Sequence, residues 1–156
     1  MSYKFLDHTT DAIIEVTAKN LKEAFSVTAD AVINLTLDQD KVEEKEQKEF
    51  SANGKDLRYL LFSWIEEITF VLITEGFAIK RIKFDIEKGD GYKINAKAYG
   101  ESLDFHKHNF KVEIKAPTFY DMEIRENDEV YMRFLLDLWG LWIFLSNIIE
   151  EIIRVF

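Results

Sequence analysis

Two aspartates near opposite ends of the chain have surroundings that would suit a metal ligand. Asp11 ends a polar run, 7–11, directly before an alternating segment. Asp137 lies between the segment 130–136, which is apolar except for Arg133, and the apolar run 138–145. A carboxylate in so apolar a stretch needs a cation, hydrogen-bond donors or water. Ligation by carboxylates alone favours a hard cation such as Mg²⁺, Mn²⁺ or Ca²⁺. The competing interpretations are turn chemistry for Asp11 and a solvent-facing strand end for Asp137.

The three histidines are a second candidate group. His106 and His108 are two residues apart and would share one face of a strand, as zinc ligands could, but we favour a surface loop pair because the chain has no cysteine to complete such a site. His8 lies in the polar run before Asp11. The sequence also contains no Gly-rich phosphate loop and no Gly-x-Ser-x-Gly motif.

Composition limits the function classes further. The 156 residues carry a net charge of −9 and no cysteine, so disulfides and thiolate sites are excluded. The acidic balance repels phosphate backbones, so direct binding to nucleic acid is not expected. It suits a basic partner surface or a divalent cation. The start of the chain lacks a signal-peptide pattern, which predicts a cytoplasmic protein.

The first half of the chain reads as two helices between strands. Residues 12–18 alternate as a strand, which places Asp11 at its beginning. Asn20 and Glu23 then predict a reciprocally capped helix, followed by a charged loop over 38–48 and a short strand near 49–52. A second helix opens at Asp56, carries a wide apolar stripe and ends at Gly76.

The second half reads as a series of strands. They are predicted over 79–86, from 92 to 98 after a turn at 89–91, over 112–116, near 122–124 and over 130–136. Two helices and mostly antiparallel strands predict an α+β fold, a two-layer sandwich with helices packed on sheet. We place one domain at 1–138 and an apolar C-terminal extension at 139–156. The uncharged run 138–149 is shorter than the ~20 residues that a membrane-spanning helix needs. No membrane contact is expected, but an amphipathic helix in the extension that serves oligomerisation or a membrane surface stays open.

The block at 115–124 reads Lys-Ala-Pro-Thr-Phe-Tyr-Asp-Met-Glu-Ile. It is similar to the Lys-Ala-x-Thr-Tyr-His-Asp-Met-Glu-Ile block of the archease family. Its imidazole position is occupied by Tyr120 here. The opening 3–11 resembles the family's N-terminal signature, which is an aromatic residue, four variable residues and then His-Thr-Ala-Asp. The other similar segments are 21–25, 56–67, 74–76, 98–101 and His108.

The resemblance implies an α+β archease-like fold and a cytoplasmic protein that is not an enzyme. It implies an activator of the RtcB-type RNA ligase, which joins RNA ends during tRNA splicing with GTP and a divalent metal. The activator promotes guanylylation and multiple turnover of the ligase, and GTP is used by the ligase and not by this chain.

The resemblance also assigns residues. Asp11 and Asp137 match metal ligands, Lys115 matches a lysine important for ligase activation, and His8 and His108 match recurrent positions. Leu138 matches the last residue of the family's chains, where a terminal carboxylate can join the metal. Here the chain continues into Trp139, so another group must replace that ligand: Glu150, Glu151 or water.

Two other functions are consistent with the same residues. A metal-dependent hydrolase of phosphate esters could use Asp11, Asp137 and His108. A chaperone-like assembly module could act through the apolar extension.

Overall fold

The computed structural model describes residues 2–6, 11–139 and 152–154. Within them, two helices and seven strands form the fold, in the order β1 (Ser2–Leu6), β2 (Asp11–Ala18), α1 (Leu21–Thr36), β3 (Glu46–Gly54), α2 (Leu57–Thr69), β4 (Phe77–Lys88), β5 (Tyr92–Ser102), β6 (Ile114–Glu126) and β7 (Val130–Leu138). A short 3-10 helix (Gln39–Lys41) follows α1, and a π-helical turn (Phe70–Thr74) extends α2. Residues 152–154 are helical.

The strands form two antiparallel sheets. One has the order β1-β2-β7-β6 and the other β3-β5-β4, and all pairings are antiparallel. Helix α1 contacts β2 and β4, and α2 contacts β6 and β3, so each helix touches both sheets. The predicted α+β class, with antiparallel sheet and two main helices, is confirmed.

The predicted cap of α1 is present with one change. The Asn20 side chain accepts a hydrogen bond from the Glu23 N–H at 2.9 Å. The Glu23 carboxylate accepts its return bond from the N–H of Lys19, at 2.8 Å, and not from that of Asn20. Both bonds satisfy backbone donors that have no acceptor within the helix.

Aromatic contacts join the helices to the three-stranded sheet. Trp64 of α2 is fully buried, and its indole N–H donates to the carbonyl of Phe25 in α1 at 3.0 Å. Its ring lies 5.6 Å from that of Phe50 and 4.8 Å from that of Phe84, centroid to centroid. The stripe on α2 is therefore core, as its helical spacing predicts.

The strands differ from the predictions in several places. The sequence pattern did not predict β1, and β4, β5 and β7 each extend two or more residues beyond their predicted bounds. β3 begins at residue 46, so the charged segment before it is shorter than predicted. β6 is one strand of 13 residues, where the sequence predicted two. Its register with β7 shifts between Ile114 and Ala116 and again between Thr118 and Glu123. Extra residues of this kind interrupt the alternation on which strand prediction depends.

In the part of the chain that the structure describes, no helix is long and apolar enough to cross a membrane.

Candidate metal site

The pairing of β2 with β7 sets Asp11 directly opposite Asp137. Residues that face each other across antiparallel strands have Cβ atoms about 4.5–5.5 Å apart. Their neighbours Ala12 and Leu136 are buried in the core, so alternation turns both half-buried aspartates to the other face of the sheet. Two carboxylates opposed in this way repel each other, and a shared cation would convert that repulsion into attraction.

The next carboxylate along this face is already engaged. Glu15 lies four residues from Asp11 on β2, roughly 13 Å away at the rise of a strand. It accepts a hydrogen bond from the Tyr131 hydroxyl at 2.8 Å and forms an ion pair with Lys4 at 3.0 Å. The Lys4 ammonium, and then the Tyr131 hydroxyl, lower the pKa of Glu15. Glu15 is therefore a partner of these groups and is remote from the aspartate pair.

The aspartate pair can supply part of a coordination shell. In the ranges 2–6, 11–139 and 152–154, no cluster of three or more His, Asp or Glu side chains is placed to hold a metal. Hard cations take six or more oxygen ligands and readily keep water among them. Asp11 and Asp137 are thus oxygen donors of the right kind, and the rest of the shell must come from water, main-chain oxygen or residues outside the described ranges.

Leu138 does not provide a terminal carboxylate. It is half-buried in β7, pairs with Ile114, and continues through a peptide bond into Trp139. The two glutamates proposed as replacements, Glu150 and Glu151, lie outside the described residues, as does His8.

Lys115 lies close to the aspartate pair along the sheet. Ile114 pairs with Leu138 and Ala116 pairs with Asp137, so Lys115 is the extra residue of a bulge beside Asp137. Its side chain is exposed, and its ammonium lies 4.9 Å from the centre of the Trp139 ring. Bulges redirect side chains in this manner.

A cleft of about 230 Å³ opens next to this lysine, between the end of α2 and the beginning of β6. Its lining combines charged groups with apolar rings, among them Glu66, Phe70, Glu113, Lys115 and Trp139. The π-helical turn that follows α2 forms one side of the cleft, and π-turns are frequent at functional positions.

His108 has a different setting. The favoured interpretation of His106 and His108 as a surface loop pair is confirmed as to the loop, since both lie in the turn 105–109, but it is wrong as to the surface position of His108. His108 is fully buried. Its Nδ1 accepts from the Asp104 N–H at 3.0 Å, which places the proton on Nε2, 3.2 Å from an oxygen of Glu101. The imidazole is therefore a neutral donor to Glu101.

Glu101 is the centre of this buried network. Both of its oxygens accept from the Lys107 ammonium, at 2.9 and 3.0 Å, and one accepts from the Glu43 N–H at 2.7 Å. Chiefly the Lys107 ammonium lowers the pKa of Glu101 to about 2. The His108 carbonyl also accepts from the Asp38 N–H. The network ties the loop after β5 to the segment before β3.

Comparison with known proteins shows what the chain is related to. The model of the Archease protein family (MTH1598/TM1083) matches residues 3–138. The chain belongs to the archease family. A protein named archease from Pyrobaculum islandicum is 40% identical over 141 residues, which cover 88% of this chain and 96% of that protein. One from Pyrococcus abyssi is 39% identical over 125 residues, 80% of this chain and 88% of that protein.

A solved structure has a fold similar to that of this archease chain. The solution structure of Methanobacterium thermoautotrophicum protein 1598 is 30% identical, with a TM-score of 0.70, and covers 88% of this chain and 99% of that chain. The archease match ends at Leu138, so Trp139 is the first residue beyond it.

The structure brings together some of the assigned archease residues and not others. Asp11, Asp137 and Lys115 lie at one end of the four-stranded sheet. His108 belongs instead to the Glu101 network. Sequence reasoning missed Lys107 as the partner of Glu101 and Trp139 as the partner of Lys115, because loop residues and bulge neighbours carry no periodic signal.

Proposed function

We propose that this chain is a non-catalytic, cytoplasmic activator of an RtcB-type RNA ligase. It promotes guanylylation and multiple turnover of the ligase in tRNA splicing, and it acts through a divalent cation held by Asp11 and Asp137. The observation that carries the proposal is the direct opposition of these two carboxylates across β2 and β7. Membership of the archease family supports the choice of this ligase as the partner.

The cation has a defined part in the proposal. Asp11 and Asp137 supply two anionic oxygen ligands, and Mg²⁺, Mn²⁺ or Ca²⁺ prefers such ligands. A bound divalent ion also carries charge that can interact with phosphate. GTP belongs to the ligase, and this chain's residues hold and orient the ion.

The charge of the chain supports a protein partner over an RNA one. A net charge of −9 favours encounter with a basic surface, such as that of a protein that itself binds RNA, and disfavours direct contact with phosphate backbones. Lys115, beside the aspartate pair, is the cation that we assign to contact with the ligase.

The hydrolase alternative is disfavoured by the position of His108. A hydrolase built on the two aspartates would use this imidazole as a base next to the substrate. His108 is instead fully buried and donates to Glu101. Metal-dependent turnover of phosphate esters in the absence of any ligase would favour the hydrolase and contradict our proposal.

The deciding experiment is a guanylylation assay. Purified ligase is incubated with GTP and metal, and the guanylylated fraction is measured with and without substoichiometric amounts of this chain. We expect strong stimulation by the wild type and none by Asp11→Ala or Asp137→Ala. Asp128→Ala is the matched control, because it removes the same charge from the turn at the opposite end of β7. Wild-type stimulation by both aspartate variants would refute the metal site, and no stimulation by the wild type would refute the ligase role.

A further inference from the structure

Trp139, the first residue beyond the family match, is hydrogen-bonded to the residue directly before β6. Its N–H donates to the carbonyl of Glu113 at 3.1 Å, which continues the β6–β7 pairing past the end of β7. The residue is 45% exposed, and the Lys115 ammonium lies 4.9 Å from the centre of its ring. The hydrogen bond from Trp139 to Glu113 therefore holds the indole beside the Lys115 side chain, which the bulge turns towards it.

We propose that Trp139 is a positioning residue for Lys115. The indole holds the ammonium at the mouth of the cleft between α2 and β6, and so restrains the cation that would otherwise reach an anionic group of the partner. This inference rests on the proposed function for the identity of that partner, the ligase, but the Lys115–Trp139 contact itself does not depend on it.

Two features of the lysine make such restraint effective. Lys115 lies on a bulge, so its exposed side chain is not locked between cross-strand neighbours, and its four-carbon stem is flexible. The cleft that it borders also contains two carboxylates, Glu66 and Glu113, which favour a cation at this place.

The expected size of the effect follows from the strength of the contact. A cation–π contact at an exposed site shifts an equilibrium by about two- to fivefold. A partner that takes the ammonium must first draw it off the ring. Removal of the ring should therefore tighten binding to the ligase by about that factor, and the gain should require Lys115.

The contact is tested without the ligase, by NMR of the lysine side chain. The Lys115 Hε resonance is assigned by its loss in Lys115→Arg. In the wild type we expect it to be shifted upfield by the ring current of the indole. The shift should disappear in Trp139→Ala and persist in part in Trp139→Phe. Identical Lys115 shifts in the wild type and Trp139→Ala would overturn the proposal.

The consequence is tested by a double-mutant cycle on the dissociation constant of the complex with the ligase. We expect Trp139→Ala to bind about two- to fivefold more tightly than the wild type, Trp139→Phe to lie between them, and the gain to vanish in a Lys115→Ala background. A gain that persists without Lys115, or no gain at all, overturns the positioning role. If the ligase binds neither the wild type nor any variant, the proposed function fails, and the NMR result alone decides the contact.

Discussion

Two carboxyl sites among the described residues differ in their surroundings: the buried Glu101, and the pair Asp11–Asp137. Glu101 is buried and receives a lysine, an imidazole and a backbone N–H, so the protein itself compensates its charge. Asp11 and Asp137 face each other with like charge, an arrangement that an external cation stabilises. The buried network around Glu101 gives that residue a structural role, and the direct opposition of Asp11 and Asp137 makes them a candidate ligand pair.

Metal binding should be visible as stabilisation of the fold. At a concentration one hundred times its dissociation constant, a cation that binds only the folded state adds about 2.7 kcal/mol to the free energy of unfolding. We expect Mg²⁺, Mn²⁺ or Ca²⁺ to raise the melting temperature of the wild type, and Asp137→Asn to abolish that rise. Asp128→Asn should behave as the wild type does in a thermal scan with and without EDTA. An equal rise in both variants would place the ion elsewhere.

Glu101 should make the stability depend on pH. Its pKa in the folded chain is about 2, below the ordinary 4.5, so its stabilising contribution is present above about pH 4.5 and is lost as the pH falls towards 2. Glu101→Gln keeps an acceptor for the Glu43 N–H but loses the charge pairing with Lys107. We expect it to cost about 1–3 kcal/mol at pH 7.

The measurement is the free energy of unfolding by denaturant at several pH values. The difference between the wild type and Glu101→Gln should shrink as the pH falls from about 4.5 towards 2, because Glu101 is then protonated first in the unfolded chain and finally in the folded one. A difference that stays constant down to pH 2.5 would show that charge is not what Glu101 contributes.

Among the elements, the β4–β5 pairing has a strict requirement at Gly100. A Cβ atom on this residue would lie 1.8 Å from the carbonyl oxygen of Ala78, a backbone atom, so Gly100→Ala must displace one strand. We expect a loss of about 3 kcal/mol, at the upper end of the range for overpacking. Gly89→Ala is the control, because no atom lies within 4 Å of its added Cβ. Thermal unfolding of the two variants is the measurement, and similar melting temperatures would contradict this reading of the register.

The long strand β6 could not be predicted as one strand, because the alternation of its side chains is interrupted. Between Thr118 and Glu123 it gains residues relative to β7, and Asp121 there has a φ of +55°. The Arg133 guanidinium of β7 holds the Asp121 carboxylate at 2.8 Å. The partner of Asp121 belongs to another strand, so the sequence of β6 does not reveal this contact. It shows only an interrupted alternation, which predicts two strands.

At the scale of the whole molecule, the extension is the feature that distinguishes this chain from the family match. A chain that ends at Leu138 would gain a terminal carboxylate next to Asp137 and lose the ring over Lys115. We therefore expect residues 1–138 to activate the ligase at an equal or lower concentration than the full chain does. The guanylylation assay is the measurement, with Trp139→Ala in the full chain to separate the two effects. Complete loss of activation on truncation would favour the assembly-module alternative.

The sequence alone determined what depends on near neighbours in the chain. The cap at Asn20, the stripe around Trp64 and the alternation of 12–18 each have a local period, because backbone geometry repeats every 3.6 or two residues. These patterns, with the order of the family-like segments, sufficed for the α+β class and for Asp11, Asp137 and Lys115 as candidates.

Only the tertiary structure decided which distant residues meet. The opposition of Asp11 and Asp137 requires the register of two strands more than a hundred residues apart. The burial of His108 against Glu101, and the indole over Lys115, require a folded loop and a bulge. Register and bulges are set by packing of the whole sheet, which no local period encodes.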